Sequence, residues 1–181
     1  MAALDLAPIV ILDRDGVINY DSAEYIKHPD EWLPIPGSLE AIARLTQAGI
    51  DVHIATNQAG VARGKFTAAT LTAIHEKMLT LIRDAGGDIV SIAFCPHHPD
   101  DNCDCRKPRP GMLQQISSQT GVPLTGVPFV GDSLKDVEAA RAAGCRPIVV
   151  LTGNGQHTHA AAPGAEVFDS LLEFVKNYLN Q

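Results

Sequence analysis

Nothing in this chain of 181 residues approaches the roughly 20 consecutive apolar residues needed to cross a bilayer. The opening MAALDLAP carries no basic stretch and no signal-type apolar run, so a cytoplasmic location is expected. Basic side chains are outnumbered, 14 against 21 acidic, for a net charge of −7. Such a surface repels nucleic acid and anionic lipid, so neither nucleic acid nor membrane is an expected partner. A small anionic substrate stays open, because a local Arg/Lys cluster in a cleft outweighs a distant global charge. Four cysteines are too few for a disulfide scaffold. There is also no internal repeat, low-complexity tract or interdomain linker. The length suits one α/β domain, so residues 1–181 are read as a single domain, and a monomer is expected.

What is present is an alternation of short apolar runs with amphipathic stretches. Ile9–Leu12, Val52–Ala55, Ile89–Phe94, Phe129-Val130 and Ile148–Leu151 read as buried strands. Between them, Ser38 is expected to cap a helix carrying Leu39, Ile42 and Leu45, ended by Gly49. Thr67 opens a longer helix with Leu71, Ile74, Met78, Leu81 and Ile82 on one stripe. Met112, Leu113 and Ile116 mark another. Ser133 caps one bearing Leu134, Val137 and Ala140, and Leu171, Leu172, Val175 and Leu179 mark the last. The segment 153–164, rich in glycine, reads as a mobile loop. Continuous apolar strands separated by helices predict a doubly wound, Rossmann-like parallel sheet covered on both faces.

Polar residues gather where such a sheet binds ligands, beyond the carboxyl ends of its strands. Asp13-Arg14-Asp15 follows the first strand, Thr56-Asn57 the second, Cys95 the third, and Gly131-Asp132 the next. Asp13 and Asp15, two apart, repel unless a cation joins them or one is protonated. Magnesium suits such oxygens and phosphoryl oxygens as well, and Asp132 can complete its site. A carboxylate can attack phosphorus to form an acyl phosphate, which water then hydrolyses. A second carboxylate can protonate the leaving alkoxide and later deprotonate the water. The Thr56 hydroxyl, Lys107 and magnesium would balance charge on the transferring group.

A second cluster lies at 95–105, where Cys95, His97, His98, Cys103 and Cys105 share one short, proline-containing loop. Three thiolates and one imidazole make a closed tetrahedral set for a structural zinc ion, whose binding would order a loop with little core of its own. Spacing alone leaves His97 and His98 both open as the fourth ligand. The mirror of Cys95-x-His97 against Cys103-x-Cys105 points to His97. Arg106-Lys107 follows Cys105 directly, so the zinc would fix the segment that delivers Lys107. Cys145, after a helix-ending glycine, reads as a small core residue. His53, His75, His157 and His159 attract no role.

Asp13-Arg14-Asp15-Gly16-Val17-Ile18 resembles the first motif of the haloacid dehalogenase (HAD) phosphohydrolases. Thr56 matches the second motif, Lys107 the third, and Gly131-Asp132 with Asp136 the fourth. The resemblance implies Asp13 as nucleophile and magnesium ligand, and Asp15 as general acid/base with its main-chain carbonyl on magnesium. It implies Asp132 as a further magnesium ligand supported by Asp136, with Thr56 and Lys107 on the phosphoryl oxygens. An Asp at position 15 is similar to the family's phosphatases rather than its dehalogenases. The C-P-H…C-D-C-R-K-P block resembles a zinc-containing branch without a separate cap domain, and it agrees with His97 as ligand.

That branch includes the heptose-bisphosphate phosphatases of lipopolysaccharide-core synthesis and the histidinol-phosphatases. The runs from Thr56 to Thr67, Cys105 to Met112 and Gly131 to Asp136 resemble the former, which implies loss of the 7-phosphate from a heptose 1,7-bisphosphate. A bisphosphate offers a second anion to be bound away from the reacting centre. Arg106 is the candidate for it, with help from Arg63 and Lys65. Asn57 is a further candidate contact. Asp21, Ser22 and Glu24 are placed to hydrogen-bond sugar hydroxyls. The substrate is thus expected to be a small phosphorylated sugar. The alternatives are a histidinol-phosphatase, which the short 95–103 loop resembles, and a receiver domain that accepts phosphate without turnover.

Overall fold

The structure, a computed structural model, describes residues 8–180. The opening residues 1–7, on which the reading of MAALDLAP mostly rests, lie outside the described residues. Six parallel strands form one sheet in the order β3-β2-β1-β4-β5-β6. They are β1 (Ile9–Leu12), β2 (Asp51–Asn57), β3 (Ser91–Cys95), β4 (Pro128–Gly131), β5 (Arg146–Val150) and β6 (Glu166–Phe168). The helices are α1 (Ser38–Gln47), α2 (Ala68–Asp84), α3 (Gly111–Thr120), α4 (Leu134–Ala143), α5 (Gly155–Ala161) and α6 (Leu171–Leu179). No described helix is long and apolar enough to cross a membrane.

Alternate side chains of a strand point to opposite faces, and β1 shows this directly. Val10 and Leu12 pack with Ile42 and Leu45 of α1, Ile74 and Met78 of α2, and Phe174 and Val175 of α6. Ile9 and Ile11 pack on the other face with Leu113 and Ile116 of α3 and Ala140 of α4. Burial on both faces is why the strands read as unbroken apolar runs. Cys145 is buried in the second of these cores. The strand order turns between β1 and β4, and both strands end at the same side of the sheet. Such a switch point opens a crevice between diverging connections. The connection after β1, residues 13–37, folds over the crevice as a loop with a short 3-10 turn at Pro29–Glu31, and no cap domain is inserted among the described residues.

Three local expectations are corrected. Ser38 is not the cap of α1 but its first residue. Gly37, at φ +84°, precedes it, and the Ser38 hydroxyl donates to Ile18 O at 2.7 Å. The segment read as a mobile loop contains α5, whose Gly155 is buried against β5. A sixth strand, β6, extends the sheet at Glu166–Phe168, too short and too exposed to show as an apolar run. The remaining caps follow the sequence. Thr67 accepts from Thr70 N at 3.1 Å, and Ser133 precedes α4 with Asp136 reaching back to it.

Candidate active site

β1 stops at Leu12, so Asp13 is the first residue past the central strand, and its N–H donates to Val130 O of β4 at 2.8 Å. The Asp13 carboxylate is buried. Its Oδ1 accepts from Arg14 N at 2.7 Å and meets Lys107 Nζ at 2.9 Å. Gly16 turns the chain at φ +81°, where a Cβ would lie 2.2 Å from Asp132 Oδ2. Glycine is required there both for the left-handed backbone and for the close approach.

At the end of β4, Asp132 Oδ2 accepts from Asn154 N at 2.8 Å and Asn154 Nδ2 at 3.1 Å. Asp136, one turn into α4, is fully buried. Its Oδ2 accepts from Asp132 N at 3.2 Å, Ser133 N at 3.0 Å and Ser133 Oγ at 2.7 Å, while its Oδ1 meets Lys107 Nζ at 2.6 Å. Gly131 allows this, since a Cβ there would stand 2.2 Å from Asp136 Cβ. Carboxylate oxygens of Asp13, Asp132 and Asp136 lie within 4.8 Å of one another.

Lys107 enters from the far side, over the end of β2. Its Nζ also donates to Ala55 O at 3.0 Å and sits 5.5 Å from the Phe129 ring centroid. The Asn57 side chain holds the Lys107 backbone at both ends, accepting from Lys107 N at 3.1 Å and donating to Lys107 O at 3.2 Å.

Asp15 is held quite differently. Arg14 Nε donates to Asp15 Oδ1 at 3.0 Å, and Nη2 reaches Oδ1 at 2.8 Å and Oδ2 at 3.1 Å. Asn19 Nδ2 adds a bond to Oδ1 at 2.9 Å, and Gln58 Nε2 one to Oδ2 at 2.9 Å. Gln58 Nε2 also contacts Thr56 Oγ1 at 3.0 Å. The Arg14 guanidinium is only 1% exposed.

These surroundings separate the acids electrostatically. Burial, then Asp136, pushes the Asp13 carboxyl well above the usual carboxylate range; Lys107 opposes them, and Asp132 and Asp15 add to the rise. Asp132 is pushed up to about 6, chiefly by burial, against the hydrogen bond from Asn154. Burial acts to raise Asp15 too, but Arg14 and the hydrogen bonds from Asn19, Arg14 and Gln58 prevail and hold it below its ordinary value. Burial acts to lower Lys107, but Asp13 and Asp136 outweigh it and keep the ammonium charged. Three buried carboxylates facing one lysine leave negative charge uncompensated, and a hard divalent cation with oxygen ligands fits that donor set.

The second cluster is compact. Cys95 Sγ stands 3.5 Å from His97 Nδ1 and 3.5 Å from Cys103 Sγ. His97 Nδ1 is 3.2 Å from Cys105 Sγ, and Cys103 and Cys105 Sγ are 3.5 Å apart. A zinc tetrahedron with about 2.3 Å to sulfur and about 2.0 Å to nitrogen has edges of roughly 3.5–3.8 Å, so the donor set fits zinc in number, chemistry and spacing. His98 is used elsewhere: its Nδ1 accepts from Asp100 N at 3.2 Å, and its N–H donates to Asp101 Oδ2 at 2.8 Å. The geometry therefore separates the two histidines that spacing left open.

A cleft of about 480 Å³ is lined by Asp13, Asp15, Thr56, Lys107 and Asp132, together with Asp21, Ser22 and Asn57 from among the other candidates. Glu24 and Arg63 are exposed and lie outside that lining. Arg106 lines a neighbouring cleft of about 300 Å³ with Arg109, and both clefts share Lys107 and Lys135. Sequence reasoning missed Arg14, Gln58 and Asn154, which hold the two acidic centres. It also missed His157, which lines the main cleft from α5.

This fold and this pairing of strand-end aspartates with a buried lysine define a HAD-type hydrolase. The model of HAD-hydrolase-like proteins matches residues 104–174. The D-glycero-β-D-manno-heptose-1,7-bisphosphate 7-phosphatase of Pseudomonas aeruginosa is 55% identical over 165 residues, covering 90% of this chain and 93% of its own. The enzyme of the same name from Pseudomonas putida is 55% identical over 150 residues, covering 83% and 86%. The crystal structure of D,D-heptose 1,7-bisphosphate phosphatase from Bordetella bronchiseptica, complexed with magnesium and phosphate, matches with a TM-score of 0.94. It is 52% identical and covers 96% of this chain and 98% of its own. The chain belongs to the family of D-glycero-β-D-manno-heptose-1,7-bisphosphate 7-phosphatases.

Proposed function

We propose that the protein hydrolyses the 7-phosphate of D-glycero-β-D-manno-heptose 1,7-bisphosphate, leaving heptose 1-phosphate and inorganic phosphate. The observation that carries this reading is the meeting of Asp13, Asp132, Asp136 and Lys107 at the mouth of β1 and β4. Both contacts to the Asp13 carboxylate fall on Oδ1, so Oδ2 is the oxygen that attacks phosphorus. The new bond joins Asp13 Oδ2 to phosphorus as the ester P–O bond breaks, and the leaving alkoxide takes a proton from Asp15. Asp15 is ionised beside Arg14 at rest; the arriving phosphate dianion opposes Arg14 and favours the protonated form. Water then attacks the aspartyl phosphate while Asp15 takes its proton. Phosphate departs and the Asp13 carboxylate is restored. Lys107 and the Thr56 hydroxyl hold the phosphoryl oxygens.

Magnesium, held by Asp13, Asp132 and the Asp15 carbonyl, would neutralise charge on the transferring group. Support comes from the uncompensated carboxylates and from the B. bronchiseptica relative complexed with magnesium and phosphate. Zinc at Cys95, His97, Cys103 and Cys105 would be structural, fixing the segment that carries Lys107. Arg106 is assigned to the remote phosphate. One of its guanidinium nitrogens, Nη1, is buried without a partner beside the basic neighbouring cleft, where an anion would satisfy it. Asp21, with Ser22 beside it, is assigned to sugar hydroxyls. The test is phosphate release, with magnesium, from both anomers of the heptose bisphosphate and from histidinol phosphate. Sustained turnover fastest on the β anomer is expected; faster turnover of histidinol phosphate overturns the assignment.

A further inference from the structure

One buried histidine outside the cleft touches the acid/base machinery. His75 of α2 places Nε2 at 3.1 Å from Arg14 Nη1, so the three arms of the Arg14 guanidinium are divided: Nε and Nη2 go to Asp15, and Nη1 goes to His75. Arginine has donors only, so His75 must accept at Nε2 and carry its proton on Nδ1. Both residues are buried, Arg14 at 1% and His75 at 8% exposure, and the imidazole edge packs on Phe94 with ring centroids 6.0 Å apart. Burial, then the Arg14 charge, holds His75 down to about 3, so it stays the neutral acceptor this contact needs. A guanidinium excluded from water and grasped from one side only would be free to pivot about its Nε–Nη2 edge. The histidine closes the other side.

We infer that His75 is a positioning residue for proton transfer: it locks Arg14, and through it the rotamer of the Asp15 carboxylate that protonates the leaving group. The inference rests on the reaction proposed above. Its signature is dependence on the leaving group. An alkyl phosphate expels a strongly basic alkoxide and needs the acid, whereas p-nitrophenyl phosphate expels a stable phenolate and hardly needs it.

The experiment compares kcat/KM, which reports steps up to the first phosphoryl transfer, for heptose bisphosphate and p-nitrophenyl phosphate in wild type, His75→Leu and His75→Gln. His75→Leu should lose about 10- to 100-fold on the sugar phosphate and less than about threefold on the aryl ester, within the range that general acid catalysis supplies. Glutamine returns an acceptor to the Nε2 position and should recover most of the loss. Should His75→Leu not fold, His75→Asn, whose shorter amide does not reach Arg14, carries the same test. An equal loss on both esters, or a sugar-phosphate loss that glutamine does not relieve, overturns the inference. Wild-type enzyme inert toward heptose bisphosphate overturns the proposed function instead.

Discussion

Replacing Lys107 with methionine tests the electrostatics of the site most directly. The side chain is 3% exposed and its ammonium touches both Asp13 and Asp136, with Asp132 in the same cluster. Methionine keeps the volume and removes the charge, leaving three buried carboxylates without a protein cation. Removing one partner of a buried ion pair costs about 3–5 kcal/mol. For a domain of this size about 2–4 °C accompanies each kcal/mol, so the unfolding midpoint without magnesium should fall by roughly 6–20 °C. The sign with pH follows from the raised carboxyls. Asp13 and Asp132 bind protons more tightly folded than unfolded, so their contribution is most favourable at low pH and is lost as pH rises through their folded values. Without Lys107 the effect deepens, so the deficit against wild type should be larger near pH 8 than near pH 5. Magnesium, binding only the folded form, should restore part of it, by about 2.7 kcal/mol at a hundredfold excess over its Kd. Calorimetric scans of both proteins, with and without magnesium, read all of this. A midpoint within about 2 °C of wild type near pH 8, or a deficit independent of pH, would refute the reasoning.

Asp13→Asn should lower phosphate release by at least roughly a thousandfold without lowering the unfolding midpoint, because a neutral amide relieves repulsion with Asp132 and Asp136. Steady-state assays and a thermal scan check the two halves, and near-normal turnover contradicts the nucleophile assignment. Magnesium affinity should weaken as pH falls through about 6, where a proton competes for Asp132, and the raised Asp13 carboxyl should add to the loss. Titration calorimetry across that interval, showing a flat affinity, would remove Asp132 from the cation site. Cys103→Ser should release zinc and expose the segment around Lys107 to protease; metal analysis finding undiminished zinc refutes the ligand set.

Much of the site was legible because an α/β sheet places chemistry at strand ends, and its strands announce themselves as apolar runs. Asp13, Thr56 and Asp132 could be found that way, Lys107 through the resemblance of its motif, and Cys95, Cys103 and Cys105 by their spacing. Arg14 could not. An arginine between two aspartates looks like a solvated turn, yet the chain folds it inward, and its partner His75 lies 61 positions away on another element. Long-range contacts of that kind leave no local pattern. Mirrored spacing and the resemblance favour His97 over His98, and the turn at Pro99–Asp101, which takes up the His98 ring nitrogen as a cap acceptor, is consistent with that preference. β6 and α5 escaped notice for a related reason. Three residues with half-exposed side chains, and seven opening on a glycine, carry too little periodicity to stand out.

Asn57 gives the short carboxamide a structural task. By offering an acceptor to one peptide N–H and a donor to the next carbonyl, it imitates a rung of sheet from the last residue of β2, and a non-strand segment is docked as though it were a seventh neighbour. Aspartate lacks the donor, leucine lacks both groups, and glutamine overshoots by a methylene. A residue in the wall of the cleft is thereby narrowly restricted by the segment it docks.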